Sequence, residues 1–142
     1  MKTLYLLILG IGALISNCSS NTSIEETFMS IVNDCKEKES ASDADVDVVI
    51  NHEVPNSPTQ NCLFACFYET LGVIQDGKMS IDSLKTVILA KFSGDGNAIT
   101  TINGLIDECA TLNGSDRCEL AHNILECLNN GANKHGINKK QL

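Results

Sequence analysis

Apolar residues recur along most of this chain at intervals of three and four, the spacing that places them on one side of an α-helix. Ser23 to Glu39 aligns Ile24, Phe28, Ile31, Val32 and Cys35 on one face, and Ser23 with Glu26 three residues later forms a capping box that starts it. Ser42 to Ile50 is shorter and acidic, with Ser42 placed to cap a helix through Val49. Pro55 and Pro58 make Val54 to Pro58 a linker. Gln60 to Ile74 is again helical with Gly72 at its end, and Asp76-Gly77 signals a turn. Ser80 caps Ile81 to Phe92, which carries Ile81, Leu84, Val87, Ile88 and Phe92 on one side. After a loop at Ser93 to Asn97, Ala98 to Leu112 aligns Ile99, Ile102, Leu105, Ile106 and Cys109. Asn113-Gly114 turns the chain into a last helix, Asp116 to Asn130, built around Leu120, Ile124, Cys127 and Leu128. Gly131 is expected to stop it, leaving a polar, basic tail over 131–142. No segment alternates with period two over a useful length, so the pattern predicts an all-α fold of five or six amphipathic helices.

Leu4 to Ile15 departs from that periodicity, because it is almost uniformly apolar. At about a dozen residues it is shorter than the roughly 18–25 needed to span a bilayer. Met1-Lys2-Thr3 precedes it and Ser16-Asn17-Cys18-Ser19-Ser20 follows, which is the order of a secretory signal peptide with cleavage after Cys18. Residues 1–18 are therefore expected to be a leader and 19–142 a single secreted, extracellular domain.

Removing the leader changes the meaning of the seven cysteines. Cys18 leaves with it, and Cys35, Cys62, Cys66, Cys109, Cys118 and Cys127 remain as a disulfide framework, for which counting alone allows 15 connectivities. Cys62 and Cys66 are four apart in one helix and share a face, so each should tie that helix to a different element. Cys118 and Cys127, nine apart, fall on opposite sides of the last helix and give it two anchors as well. Such stapling frees an interior from having to be solid; a filled core with spare bridges is the plainer alternative.

Composition narrows the partners. The net charge of −8 repels phosphate backbones and anionic lipid, which argues against nucleic-acid binding and electrostatic membrane docking. The absence of Trp and the presence of only two Pro favour helices over a sandwich. His52, His122 and His135 have no mutual spacing suited to a metal, and bridged cysteines are not thiolate ligands. Asp43, Asp45 and Asp47 begin like a calcium loop, but Val48 and Val54 stand where Gly and Glu are required, so a solvated acidic helix face is expected. No nucleophile and base fall in a recognisable catalytic motif. Neither an enzyme activity, a metal nor a cofactor is expected.

Five gaps separate the six cysteines: 26, 3, 42, 8 and 8 residues. This pattern resembles the six-cysteine signature of the insect odorant-binding and pheromone-binding proteins. Cys62-Leu63-Phe64-Ala65-Cys66, followed by Glu69, Leu71-Gly72-Val73 and Asp76-Gly77-Lys78, is similar to the family's third helix and the turn after it. Lys134-His135-Gly136-Ile137 is similar to the tail of some general members. The resemblance implies about six helices around an internal apolar cavity, stapled by Cys35–Cys66, Cys62–Cys118 and Cys109–Cys127. The last bridge rests on the resemblance alone, since a simple helical hairpin would place Cys109 nearest Cys118.

The function so implied is a carrier of small hydrophobic molecules such as odorants or pheromones. Burying about ten methylenes at ~0.8 kcal/mol each gives about 8 kcal/mol gross, the equivalent of a micromolar Kd. On the helical faces above, the cavity walls are expected among Phe28, Ile31, Leu71, Ile74, Leu84, Val87, Ile88, Phe92, Ile102, Ile106, Leu120 and Ile124, each of which also suits plain core packing. Tyr68 is placed to hydrogen-bond an alcohol or aldehyde, or else to face solvent. Some members of that family release their ligand when an apolar tail enters the cavity at low pH. Here Asn133, Lys134, His135, Lys139 and Lys140 would make that costly, so the tail is expected outside, with His122 and His135 as the groups that would sense pH. Expected partners are a small hydrophobic ligand and a membrane receptor at delivery, with the protein itself a monomer or weak homodimer and not stably anchored to a membrane. The alternative is a secreted salivary or venom scaffold of the same fold that binds a protein or an amine.

Overall fold

A computed structural model describes residues 20–92 and 96–138. Residues 1–19, which contain the leader read over 1–18, residues 93–95 of the expected 93–97 loop, and the final residues 139–142 lie outside the described residues. Six helices and one small hairpin form among those described: α1 (Ser20–Lys38), α2 (Asp43–Ile50), α3 (Pro58–Thr70), β1 (Ile74–Gln75), β2 (Lys78–Met79), α4 (Ile81–Leu89), α5 (Gly96–Glu108) and α6 (Arg117–His135).

Side-chain oxygens begin four of these helices by accepting hydrogen bonds from otherwise orphaned backbone N–H groups. Ser42 and Asp45 form a reciprocal capping box on α2, and Ser57, Ser80 and Asp116 cap α3, α4 and α6. Two expectations about starts are corrected. Helix α1 is already formed at Ser20, so Ser23 lies inside it and not at its cap. Pro58 opens α3 and does not belong to the linker, because a first-turn proline has no intrahelical N–H bond to lose.

Four helices end in one way, with a left-handed residue just past the last turn. Ser40, His52, Gly72 and Gly136 have φ near +53°, +53°, +69° and +67°. In each case the next residue's N–H returns to a carbonyl five back, as in Val73 N to Tyr68 O at 2.8 Å and Ile137 N to Ala132 O at 2.9 Å. Helices α4 and α5 end before the expected Phe92 and Leu112, but single tight turns continue their direction. Phe92 N donates to Leu89 O at 3.0 Å and Cys109 N to Ile106 O at 3.0 Å, so Phe92 and Cys109 still reach the core. The Asp76-Gly77 turn joins two short antiparallel strands in register Ile74 to Met79, and both turn residues have positive φ. Two residues per strand are too few to show as alternation in the sequence.

The largest correction concerns α6. Gly131 does not stop it; the helix continues to His135 and caps at Gly136. Gly131 is buried and packed so tightly that an added Cβ would lie 1.8 Å from Leu105 Cδ1. The residue serves the close approach of α5 to α6, and helix propensity gives way to that packing. Half of the expected tail is therefore structure: Ala132 is buried, Ile137 packs on the core, and Lys134 and His135 reach Glu108 at 3.4 and 3.7 Å.

Helix α3 is the centre of the fold, packed against α6, α1 and α2, while α4 lies on α5 and α5 on α6. Cys66 bridges to Cys35 on α1, Cys62 to Cys118 on α6, and Cys109, just past α5, to Cys127 on α6. All three connectivities implied by the family resemblance are present. Arg117 adds a polar clasp at the head of α6, with Nη2 2.8 Å from Glu39 Oε1 and Nη1 3.4 Å from Glu69 Oε2. Among the described residues no helix is long and apolar enough to cross a membrane.

Candidate functional site

The candidate site is a cavity between α3, α4 and α6, and each wall follows from local sequence. Helix α3 supplies Phe64, Phe67 and Tyr68, which the three- and four-residue intervals bring to one face. Helix α4 supplies Leu84, Val87 and Ile88, with Lys91 from the turn after it. Helix α6 contributes Leu125, Leu128 and Asn129. His52 completes the lining from the end of α2. Its left-handed backbone belongs to the helix stop, since His52 N donates to Val49 O at 3.1 Å and Glu53 N to Val48 O at 3.0 Å.

The cavity measures about 50 Å³, enough for a few waters but small beside the roughly 300–1,000 Å³ of ordinary small-molecule pockets. Its lining is mainly apolar and aromatic. Phe64 and Phe67 each tilt towards Tyr68, at 6.2 and 6.1 Å between ring centroids. Phe28 stands edge-on behind Phe67 at 5.3 Å.

Polar atoms are few and individually placed. Burial raises the Tyr68 phenol pKa, so it is a neutral O–H at any physiological pH. Burial, and secondarily the neighbouring Lys91, lowers the pKa of His52. Burial also lowers that of Lys91. Asn129 is 4% exposed; its Nδ2 donates to Leu125 O at 3.0 Å, while its Oδ1 is buried with no hydrogen-bond partner.

Four of the expected wall residues, Tyr68, Leu84, Val87 and Ile88, meet in this cavity. The others are placed elsewhere. Phe28, Ile31 and Leu71 are half-buried supports of the core, and Ile74, Phe92, Ile102, Ile106, Leu120 and Ile124 are packed within it. The sequence pattern identifies all of these as inward-facing, but it cannot separate a side chain that fills space from one that borders it. Phe64, Phe67, Leu125 and Leu128 were legible as apolar helix positions and lacked only that distinction. Asn129 and His52 carried no signal of their own.

The two histidines expected to sense pH do not line the cavity. His135 lies beside Glu108, and His122 is half-buried with Nδ1 unpartnered. The three aspartates that begin like a calcium loop sit on α2, where Asp43 pairs with Lys36 and Asp45 serves the cap.

Residues 19–130 match the model of the PBP/GOBP family. Among curated proteins, General odorant-binding protein 19d of Drosophila melanogaster is 23% identical over 109 residues, covering 75% of this chain and 73% of that protein. Among solved structures, the odorant-binding protein OBP28a of Drosophila melanogaster aligns with a TM-score of 0.73 at 22% identity, over 82% of this chain and 98% of that one. A pheromone-binding protein of the cockroach Leucophaea maderae, solved with the fluorescent reporter 1-anilinonaphthalene-8-sulfonic acid, aligns with a TM-score of 0.59 at 26% identity, over 79% and 98%.

Proposed function

Since the chain belongs to the PBP/GOBP family, we propose that it is a secreted carrier that encloses small hydrophobic molecules, of the odorant or pheromone kind, and moves them through extracellular fluid. The observation that carries this reading is the apolar cavity between α3, α4 and α6, set inside a shell of cystine-linked helices. Three bridges in a chain with an apolar leader-like start favour an oxidising compartment. The reporter bound by the cockroach relative is an aromatic, largely apolar dye, the kind of guest such a lining would take.

A guest of ten or more carbons needs more room than about 50 Å³, so a wall has to yield. Helices α1, α3 and α6 each carry a cystine, and α5 is held at its C-terminal end by Cys109. Helix α4 carries none and packs chiefly on α5. It is the wall whose displacement breaks the fewest constraints. A mostly apolar lining gives micromolar affinity and loose selectivity, since buried area supplies the energy and few groups supply direction.

The test is fluorescence of 1-anilinonaphthalene-8-sulfonic acid with the oxidised protein, followed by displacement with long-chain alcohols, aldehydes, esters and terpenoids. Micromolar displacement by several of them, lost when the bridges are reduced, is the expected result. A correctly bridged, helical protein that takes up no dye would refute the carrier reading in favour of a secreted scaffold.

A further inference from the structure

The inference here rests on the carrier reading and narrows its guest. Asn129 is the anomaly of the cavity wall, a buried amide, 4% exposed, in a lining that is mainly apolar and aromatic. Its Nδ2 is committed to Leu125 O, one turn back at 3.0 Å. Turning the amide over would set Oδ1 against that carbonyl, two acceptors face to face, so its orientation is fixed. Oδ1 is consequently an acceptor held in place, buried and unsatisfied, and such an atom costs stability until a donor reaches it.

Tyr68 is the complementary group. It borders the same cavity from α3, the helix that packs most extensively on α6, and the Cys62–Cys118 bridge fixes the two helices to each other. Its phenol is an O–H donor within a lining otherwise formed largely by aromatic and aliphatic carbon.

We propose that this cavity selects guests that end in a hydroxyl group, long-chain or terpenoid alcohols, whose O–H donates to Asn129 Oδ1 while their oxygen accepts from the Tyr68 hydroxyl. Both residues line the cavity that a ten-carbon guest has to enlarge. Aldehydes, ethers and esters offer acceptors only, so they satisfy Tyr68 and leave Asn129 Oδ1 unpaired. A carboxylate would set its charge against that same oxygen. An ammonium group would face His52 and Lys91 in the same lining.

The experiment displaces 1-anilinonaphthalene-8-sulfonic acid from the oxidised protein with 1-decanol, decyl methyl ether, decanal and decanoate. The ether keeps the oxygen acceptor and replaces the hydroxyl hydrogen with a methyl group, and decanal removes the donor without adding a carbon. Decanol is expected to bind about tenfold tighter than the ether or the aldehyde, the usual consequence of leaving a buried acceptor unpaired. In Asn129→Leu the decanol-to-ether ratio should fall to within about twofold, and Tyr68→Phe should weaken both ligands together. Ratios are taken within each variant, so changes in dye affinity cancel. Equal binding of decanol and its ether by the wild-type protein overturns the proposal, and that comparison stands even where Asn129→Leu fails to fold. A ratio that survives Asn129→Leu, or a preference for decanoate through Lys91, overturns it as well. Absence of dye binding altogether removes the carrier reading itself, and the two failures are thereby distinct.

Discussion

His52 shows how much a single side chain's role depends on the backbone that presents it. The residue occupies the left-handed position that ends α2, and from there its half-buried imidazole borders the cavity near Lys91. Burial first, and the Lys91 charge second, lower its pKa from the ordinary 6.5. The unfolded chain therefore takes up the proton more readily than the folded one. His52 contributes stability that is complete above about pH 6.5 and is lost as pH falls toward the lowered folded value. Thermal unfolding followed at pH 7.5 and pH 5 should show a smaller acid-induced drop in Tm for His52→Gln than for the wild-type protein. Equal drops would assign the acid sensitivity elsewhere. His122 and His135 border no part of this cavity.

Between elements, the α5–α6 contact carries the clearest energetic statement. A glycine inside a helix usually costs about 1 kcal/mol relative to alanine, so Gly131→Ala would stabilise α6 if propensity decided. Packing decides here. The new Cβ would meet Leu105 Cδ1 at 1.8 Å and Cγ at 3.1 Å, and Leu105 is itself buried in the core. Overpacking of this kind costs roughly 1–3 kcal/mol, so Gly131→Ala should lower stability in chemical denaturation. A gain in stability would show that the two helices separate freely and that their spacing is not fixed by this glycine. The same close approach lets α6 run on to His135 and seats Ile137 against the core, which a stop at Gly131 would have lost.

At the scale of the whole molecule, three bridges of unequal reach tie α1, α3 and the end of α5 into one frame with α6, and α3 and α6 are two walls of the cavity. They close loops of 31, 56 and 18 residues, and each contributes roughly 3–4 kcal/mol through the entropy of the unfolded chain. The Cys62–Cys118 bridge closes the longest loop and joins the two helices that pack most extensively on each other. Replacing that pair with alanines should cost about 1 kcal/mol more than replacing Cys109 and Cys127. It should also loosen the register of Tyr68 against Asn129. Denaturant midpoints for the two double variants check the order, and a reversed order would show that native-state contacts, not loop entropy, dominate these bridges.

Much of this protein is already determined by its sequence. Periodicity at three and four residues locates five helices, Ser42 as a cap points to the short sixth, Ser80 marks another start, Asp76-Gly77 marks the hairpin turn, and the cysteine gaps carry the family resemblance and with it the three bridges. These are local features, set by hydrogen bonds and side-chain direction within a few residues, or by spacing along the chain. The remainder required the packed molecule. Whether Gly131 ends a helix or admits Leu105 depends on what lies across from it. Whether Ile102 fills the core or Leu128 borders a void depends on how three helices fail to close on one another. That Asn129, with its unsatisfied oxygen, borders the same cavity as Tyr68 depends on how α6 packs against α3. Sequence fixes which face of each helix turns inward because that is a property of one helix; the cavity is a property of the gaps between helices, and only tertiary structure contains those.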